Sequence, residues 1–355
     1  MDIEIQLATE EQKKQKPADS VLEFGKKFTD HLFEMEYENE RWGTPRIVPY
    51  HPFTLDPATT VFHYGQEIFE GMKAFRHPDD SIHLFRPYKN AERFNRSAER
   101  MSMPTVNKDL FVKAITELIR LDNEWTPNSP GMTLYIRPTM IATEVALGVH
   151  PSNRYLFYII LSPVGSYFKT GFKPTKVYVA STHVRATPGG TGEAKTGGNY
   201  AATLWSQQKA KNKGYPQVLW LDAIERRYIE EAGAMNVMMV IDGEVYTPAL
   251  DGAILKGITR ESVIELARTL GYLVHEESID INDLIAKLED GSCSEIFCVG
   301  TAASITPIGE IYYKEKVYEV NGSEIGKITQ HLYDELVGIQ FGKIPDRFNW
   351  MYKVF

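Results

Sequence analysis

The stretch GGTGEAKTGGNY, Gly189–Tyr200, sets one lysine among five glycines. Gly189 followed by Ala194-Lys195-Thr196 departs at one position from the phosphate-binding loop pattern, which needs glycine directly before the lysine. Three readings stand: a degenerate nucleotide loop, a solvated loop, and a loop that presents a reactive amine. A nucleotide loop runs from a strand straight into its first glycine and opens a helix at Lys-Thr. Here Pro188 intervenes, beyond the expected strand KVYVAST, and Gly197-Gly198 make a poor first helical turn. Asp222, ending the apolar run VLWLD, resembles a magnesium-binding aspartate, but aspartates in that position also start turns. The solvated loop is the bland reading of a lysine among glycines.

The 355 residues suggest two domains or one large one, with enough chain to bury a core without disulfide or metal staples. A net charge of −8 argues against a nucleic-acid or anionic-membrane surface. Cys293 and Cys298 have neither redox-pair nor zinc spacing, and so few thiols fit a reducing cytosol. No metal site is expected. No apolar run approaches the ~20 residues of a membrane span, and the N-terminal TEEQKKQKPADS lacks the look of a signal or transit peptide. These features predict a cytoplasmic protein.

Along the chain, residues 1–20 read as a mobile tail. GMKAFRH and SIHLFRP flank the turn signal Pro78-Asp79-Asp80, which predicts a hairpin. In NAERFNRSAERM, Ala91, Phe94, Ala98 and Met101 share one helical face, and Arg93, Arg96 and Arg100 another. A second amphipathic helix follows in DLFVKAITELIRLD, then the strands LYIRPTMIAT and RYLFYIILSP. Residues 164–174, with their mixture of Gly, Pro and polar residues, read as an interdomain linker. The expected domains are therefore 21–163, a small α+β domain, and 175–355, a large α+β domain carrying Lys195. In the latter a helix is expected from about Ala201 to Lys213. NVMMVI and EVYTP flank an Asp242-Gly243 turn, and ITRESVIELARTLG forms a helix just after Gly257. Strand-rich halves with segregated helices point to α+β architecture in both domains.

Chemistry-bearing residues recur around the lysine. Tyr200 follows it by five positions. YIEEAGAMN puts Glu230 and Glu231 beside a buried hairpin, and successive strand residues face opposite ways, so one of the two points inward. Gly257-Ile258-Thr259 opens a helix whose free N–H groups suit a phosphate. Gly300-Thr301-Ala302 follows the strand EIFCV and offers more N–H groups. An amine, a phenol, a carboxylate and two anion-binding turns are the set that pyridoxal phosphate requires.

Over nearly its whole length the chain resembles the branched-chain amino-acid aminotransferases, of the fold type IV class of pyridoxal-phosphate enzymes. The likeness rests on the order and spacing of FHYGQEIFEGMKAF, LFRPYKNAERFNRSAERM, LYIRPTMIATE, LSPVGSYF, GGTGEAKTGGNY, QVLWLD, IEEAGAMNV, ILKGITRES and VGTAASITPIG. It implies a two-domain α+β fold with pyridoxal 5′-phosphate between the domains. It also implies reversible ping-pong transfer of the amino group of leucine, isoleucine or valine to 2-oxoglutarate. Lys195 matches the lysine that bonds to the cofactor and shuttles a proton. Glu231 matches the carboxylate at the ring nitrogen, selected over Glu230 by the family pattern, and Tyr200 the phenol at the 3′ oxygen. Arg93 matches the phosphate arginine, a choice that spacing alone does not make among Arg93, Arg96 and Arg100. Ile258, Thr259 and Thr301 complete the phosphate cup.

For the substrate, the resemblance implies walls of Phe24, Phe69, Tyr135 and Tyr167. Leu147 and Val149 are offered by the partner subunit of a homodimer. Tyr64 and the Thr301-Ala302 backbone receive the α-carboxylate, and Arg137 the distal carboxylate of glutamate. Two departures from the family stand out: TAASIT replaces the redox Cys-x-x-Cys of mammalian relatives, and Ala234 stands where Thr or Ser is frequent. The alternatives are another fold type IV enzyme (a D-amino-acid aminotransferase or an aminodeoxychorismate lyase), the nucleotidase, and a non-catalytic binding module.

Overall fold

A computed structural model describes residues 2–165 and 172–355. Tyr167, and most of the expected linker at 164–174, lie outside the described residues. The chain divides into two compact units. One comprises Met1–Tyr167, Ala194–Gly197 and Ile339–Phe355, and the other Phe168–Glu193 and Gly198–Gly338. Lys195 is grouped with the first unit.

The first unit is built on a sheet of ten described strands. Its centre is the antiparallel pair Thr133–Ala142 and Tyr155–Val164, in register from Thr133↔Val164 to Ala142↔Tyr155. The expected hairpin forms, with Met72–Arg76 against Ile82–Phe85 and Asp80 in the left-handed region at φ 64°. One face of the sheet is covered by helices Pro87–Arg100 and Lys108–Leu121. Pro87 starts the first, where its missing N–H costs nothing. Asn107 caps the second by accepting the Leu110 N–H at 3.0 Å. The apolar stripe of the first helix, Ala91, Phe94 and Ala98, is buried beside Phe111 and Phe157. Truncating a ring such as Phe94 in a core of this kind costs roughly 3–5 kcal/mol. From the far end of the chain, Met351–Lys353 adds an edge strand to Ile82–Phe85.

The second unit holds a sheet of nine described strands. Ile229–Ala232 pairs with Gln217–Leu221 and also with Met235–Ile241, so six strands close into a ring. Each of those six strands thus has a neighbour on both sides, and a tight turn follows Glu231. Gly233 makes that turn at φ 62°, and Trp220 Nε1 donates to its carbonyl at 3.0 Å. The Asp242-Gly243 turn has φ 51° and 82°, as a two-residue hairpin requires. Helix Ile258–Thr269 begins at Gly257 as expected.

The expectation that Gly197-Gly198 would not open a helix is corrected. A single turn, Gly197–Ala201, is followed by a separate helix Leu204–Asn212, in place of one helix from Ala201 to Lys213. The physical reason is tertiary: the Gly197 N–H donates to the Glu67 carboxylate, which stabilises a turn that glycine disfavours on its own. Cys293 and Cys298 are buried free thiols, both pushed up to about 12 by burial, and therefore inert packing residues.

Candidate active site

In the first unit the Lys195 segment is laid along the short strand Glu67–Phe69. Phe69 N–H donates to the Lys195 carbonyl at 2.9 Å, and Thr196 Oγ1 donates to the Glu67 carbonyl at 2.7 Å. The Lys195 N–H donates to Ser97 Oγ at 2.9 Å. A Cβ on Gly197 would lie 2.1 Å from Glu67 Oε1, so only glycine admits the Glu67 contact. These bonds fix the lysine's backbone, which a solvated loop would not need.

The Lys195 ammonium stands 5.0 Å from the centre of the Phe69 ring, and the Arg137 guanidinium 4.7 Å from the same centre. Arg137 Nη2 donates to the Tyr135 hydroxyl at 3.1 Å, while its buried Nε has no hydrogen-bond partner. Phe24 packs edge-on against Tyr135, with ring centres 4.8 Å apart. A Cβ on Gly71 would meet the Tyr135 hydroxyl at 2.1 Å, so this glycine makes room for the phenol. Phe24, Phe69, Tyr135, Arg137 and Lys195 are thus gathered in one unit. Strand register does this: Tyr135 and Arg137 alternate on one sheet face, and Phe69 pairs with Thr139 on the same face.

Burial separates the three arginines of this helix. Arg96 and Arg100 are exposed, whereas Arg93 is 4% exposed and clamped by a fully buried Glu70. Arg93 Nε donates to Glu70 Oε1 at 2.7 Å and Nη2 to Oε2 at 3.0 Å. Asn90 Nδ2 adds a bond to Oε2 at 2.7 Å. Burial alone would push the Glu70 carboxyl up. Arg93, with help from Lys195 and Asn90, outweighs it and holds the group below the usual range. Glu70 was not singled out from sequence; its place in FEGMKAF, next to a glycine, was the available signal.

In the second unit Glu231 is held from three sides. Its Oε1 accepts the Leu255 N–H at 3.0 Å and Asn236 Nδ2 at 3.3 Å, and its Oε2 lies 3.0 Å from Arg185 Nε. Both Glu230 and Glu231 are buried, so burial alone does not choose between them. They differ in bonding: neither oxygen of Glu230 has a hydrogen-bond partner, and burial pushes its carboxyl up to about 8. Arg185, 46 residues before Glu231, and Asn236, five residues after it on the next strand, were missed from sequence. A Cβ on Gly257 would meet Asn236 Oδ1 at 2.0 Å. Gly257 then leads into the Ile258–Thr269 helix with no side-chain cap, and Ile258 and Thr259 are buried in its first turn. Tyr200 lies in the Gly197–Ala201 turn, next to Asn199, which bonds back to Thr191 across the glycine loop. Thr301 and Ala302 lie in the turn joining strands Cys293–Gly300 and Ser304–Tyr313.

Tyr64, Leu147 and Val149 occupy exposed surface of the first unit. The Tyr64 hydroxyl donates to the Leu147 carbonyl, and Leu147 and Val149 are 65% and 84% exposed.

This arrangement suits a cofactor with a cationic ring nitrogen and an anionic tail. Glu231 is a fixed carboxylate, a kind of group that pairs with a cation, and an uncapped helical N-terminal turn is a kind of group that receives an anion. The family described as "Amino-transferase class IV" matches residues 67–311. A branched-chain-amino-acid transaminase of Bacillus subtilis is 51% identical over 343 residues, covering 96% of each chain. The crystal structure of the Escherichia coli branched-chain amino acid aminotransferase matches with a TM-score of 0.78 at 26% identity, over 92% of this chain and 99% of that one. The branched-chain aminotransferase of the thermophilic archaeon Thermoproteus uzoniensis, solved with norvaline, matches with a TM-score of 0.75 at 27% identity, over 91% of this chain and 100% of that one. The chain belongs to the class IV aminotransferases, and within them to the branched-chain-amino-acid aminotransferase family.

Proposed function

We propose that this chain reversibly transfers the amino group of leucine, isoleucine or valine to 2-oxoglutarate, using pyridoxal 5′-phosphate. The observation that carries this reading is the Lys195 segment, fixed by backbone bonds beside an apolar wall that also holds a half-buried arginine. When bound, the cofactor supplies an electron sink for the substrate's Cα. Arg93, with the N–H groups at Ile258, Thr259 and Thr301, would bind its phosphate. Glu231 would face its ring nitrogen and Tyr200 its 3′ oxygen. The Lys195 amine would take and return the proton at Cα.

Phe24, Phe69, Tyr135 and Tyr167 would enclose a branched side chain. Tyr64 and the Thr301-Ala302 backbone would hold the α-carboxylate. The unpartnered Nε of Arg137 supports its role toward a second carboxylate. Replacing Arg137 with alanine is expected to lower kcat/KM for glutamate by ~100-fold and for leucine by under ~10-fold, since loss of a charged bond exceeds loss of a packing contact. Equal losses for both substrates in steady-state assays would refute the assignment.

A second copy of the chain completes the reading. Phe62, Val145, Leu147 and Val149 form exposed apolar surface that a homodimer would cover. The direct test is an absorption spectrum of the holoenzyme. Leucine should discharge the visible cofactor band and 2-oxoglutarate restore it, with D-leucine inert. Discharge by D-leucine instead would favour a D-amino-acid aminotransferase.

A further inference from the structure

Two histidine rings lie face to face where the end of the chain crosses the first unit's hairpin. His77 follows the strand Met72–Arg76, His83 lies in Ile82–Phe85, and their ring centres are 3.7 Å apart with 13° between the planes. Both are half-buried. His77 Nε2 donates to the Gln340 carbonyl at 3.2 Å, and a Cβ on Gly342 would meet His77 Nδ1 at 2.5 Å. The backbone at 340–342 therefore rests on this ring. His83 is the register partner of Lys353 in the edge strand Met351–Lys353. Beyond that strand the Val354 N–H donates to the Ile82 carbonyl at 2.8 Å. One ring thus meets the backbone where the terminal segment begins, and the other meets a lysine near its end. Two neutral rings can stack at this spacing, but two charged ones repel at it. A charged His83 also stands opposite the like charge of Lys353 in its strand pair, a destabilising arrangement. Burial pushes both rings below the ordinary imidazole value, and on His83 the charges of His77 and Lys353 add to it. Against this, the Gln340 bond, Asp79 and Asp346 draw His77 up, and Asp79 and the Ser81 backbone draw His83 up. Asp79 is exposed and already accepts the Ser81 hydroxyl, and Asp80 in the same turn is paired with Arg76 at 3.6 Å.

We propose that the His77–His83 stack is an acid-released latch: it holds the terminal segment 340–354 on the hairpin while at most one ring is charged, and a second proton opens it. Opening parts the rings, breaks the Gln340 contact and uncovers the edge of Ile82–Phe85. The sign follows from proton counting. Released rings take up protons near the ordinary ~6.5, whereas the latched stack excludes the second proton until lower pH. The open state therefore binds more protons, and opening becomes easier as pH falls below ~6.5, by at most ~tenfold per pH unit for one excluded proton. The gain ends once the latched stack itself takes that proton.

The test is amide hydrogen exchange of the holoenzyme from about pH 7.5 to about pH 5, a window that brackets the ordinary imidazole value, with each rate divided by the intrinsic rate at that pH. The Val354 and Arg86 amides report the latch, because the first bonds to the Ile82 carbonyl and the second to that of Trp350. Their protection should fall below pH ~6.5 by at most ~tenfold per unit, while that of the central pair Thr133–Ala142 and Tyr155–Val164 holds steady. His77→Gln keeps a neutral donor for the Gln340 carbonyl and takes no charge, so its protection should stay flat. Lys353→Gln removes the cation opposite His83, which lets the latched stack accept its second proton at higher pH and should shrink the total fall. Lys353 is exposed, so this variant carries the test however His77→Gln folds. Flat protection of Val354 in the native enzyme would overturn the proposal, as would a fall that Lys353→Gln leaves unchanged or that persists in a folded His77→Gln. Loss of protection in step with the central strand pair would overturn it too, since that marks unfolding of the unit as a whole.

Discussion

Lys195→Ala is expected to lower turnover by at least ~10⁴-fold, since it removes both the covalent attachment of the cofactor and the group that moves the substrate's proton. The protein should remain folded. The contacts that fix this segment are made by backbone atoms of Lys195 and by the Thr196 side chain, and alanine keeps them all. Thermal unfolding within a few degrees of the native protein, together with lost transamination, is the expected pair of results. An added small amine should restore part of the rate, because it replaces the missing base without needing to be tethered. Lys195→Arg keeps a charge over the Phe69 ring but offers no neutral amine near pH 7, so it should be as inactive as alanine. Native-like activity in either variant would remove Lys195 from the mechanism.

Glu70→Ala should carry the largest cost in stability. It leaves Arg93 buried without its bidentate partner, a situation that costs roughly 3–5 kcal/mol. Urea unfolding followed by fluorescence would measure it. The Glu70 carboxyl is held below its ordinary range in the fold, so its contribution is complete above the unfolded value of ~4.3 and is lost as pH falls through the folded one. Glu70→Gln should therefore be destabilised at neutral pH and should lose part of the native protein's acid sensitivity. Cofactor affinity should fall as well, because Glu70 orients the proposed phosphate arginine. A variant as stable as the native protein would show that Arg93 finds another partner.

Much of this was legible in local pattern. Ala91, Phe94 and Ala98 mark the helix over residues 87–100, and Asp242-Gly243 marks its hairpin, because each signal lies within a few residues of its effect. The family likeness carried the proposed roles of Lys195, Glu231 and Arg93. What pattern did not carry was set at long range. Arg93, Arg96 and Arg100 are equivalent by helical spacing, and only burial against Glu70, just past the strand Glu67–Phe69, separates Arg93 from the other two. Glu67 and Glu70 look like ordinary charges flanking an apolar pair. Their meaning depends on Gly197 and Arg93, at separations of 130 and 23 residues. The helical turn at Gly197 went unforeseen for the same reason: intrinsic propensity argued against it, and a distant carboxylate reversed the outcome. Nor does sequence periodicity reveal that Ile229–Ala232 pairs on both sides to close a ring.

The strand Met351–Lys353 bears on how the protein is made. It covers the edge of Ile82–Phe85, Trp350 accepts the Arg86 N–H at 2.8 Å, and Val354 joins the first unit's core. During translation, that edge is exposed until residues 350–354 leave the ribosome, after the entire second unit. Roughly 180 residues separate the two events, or ~10–40 s at ~5–20 residues per second. For that interval a nascent chain presents an unpaired strand next to an incomplete core, a configuration prone to pairing with a neighbouring chain. Chaperone dependence and losses to aggregation should therefore depend on the speed of elongation through the second half of the message.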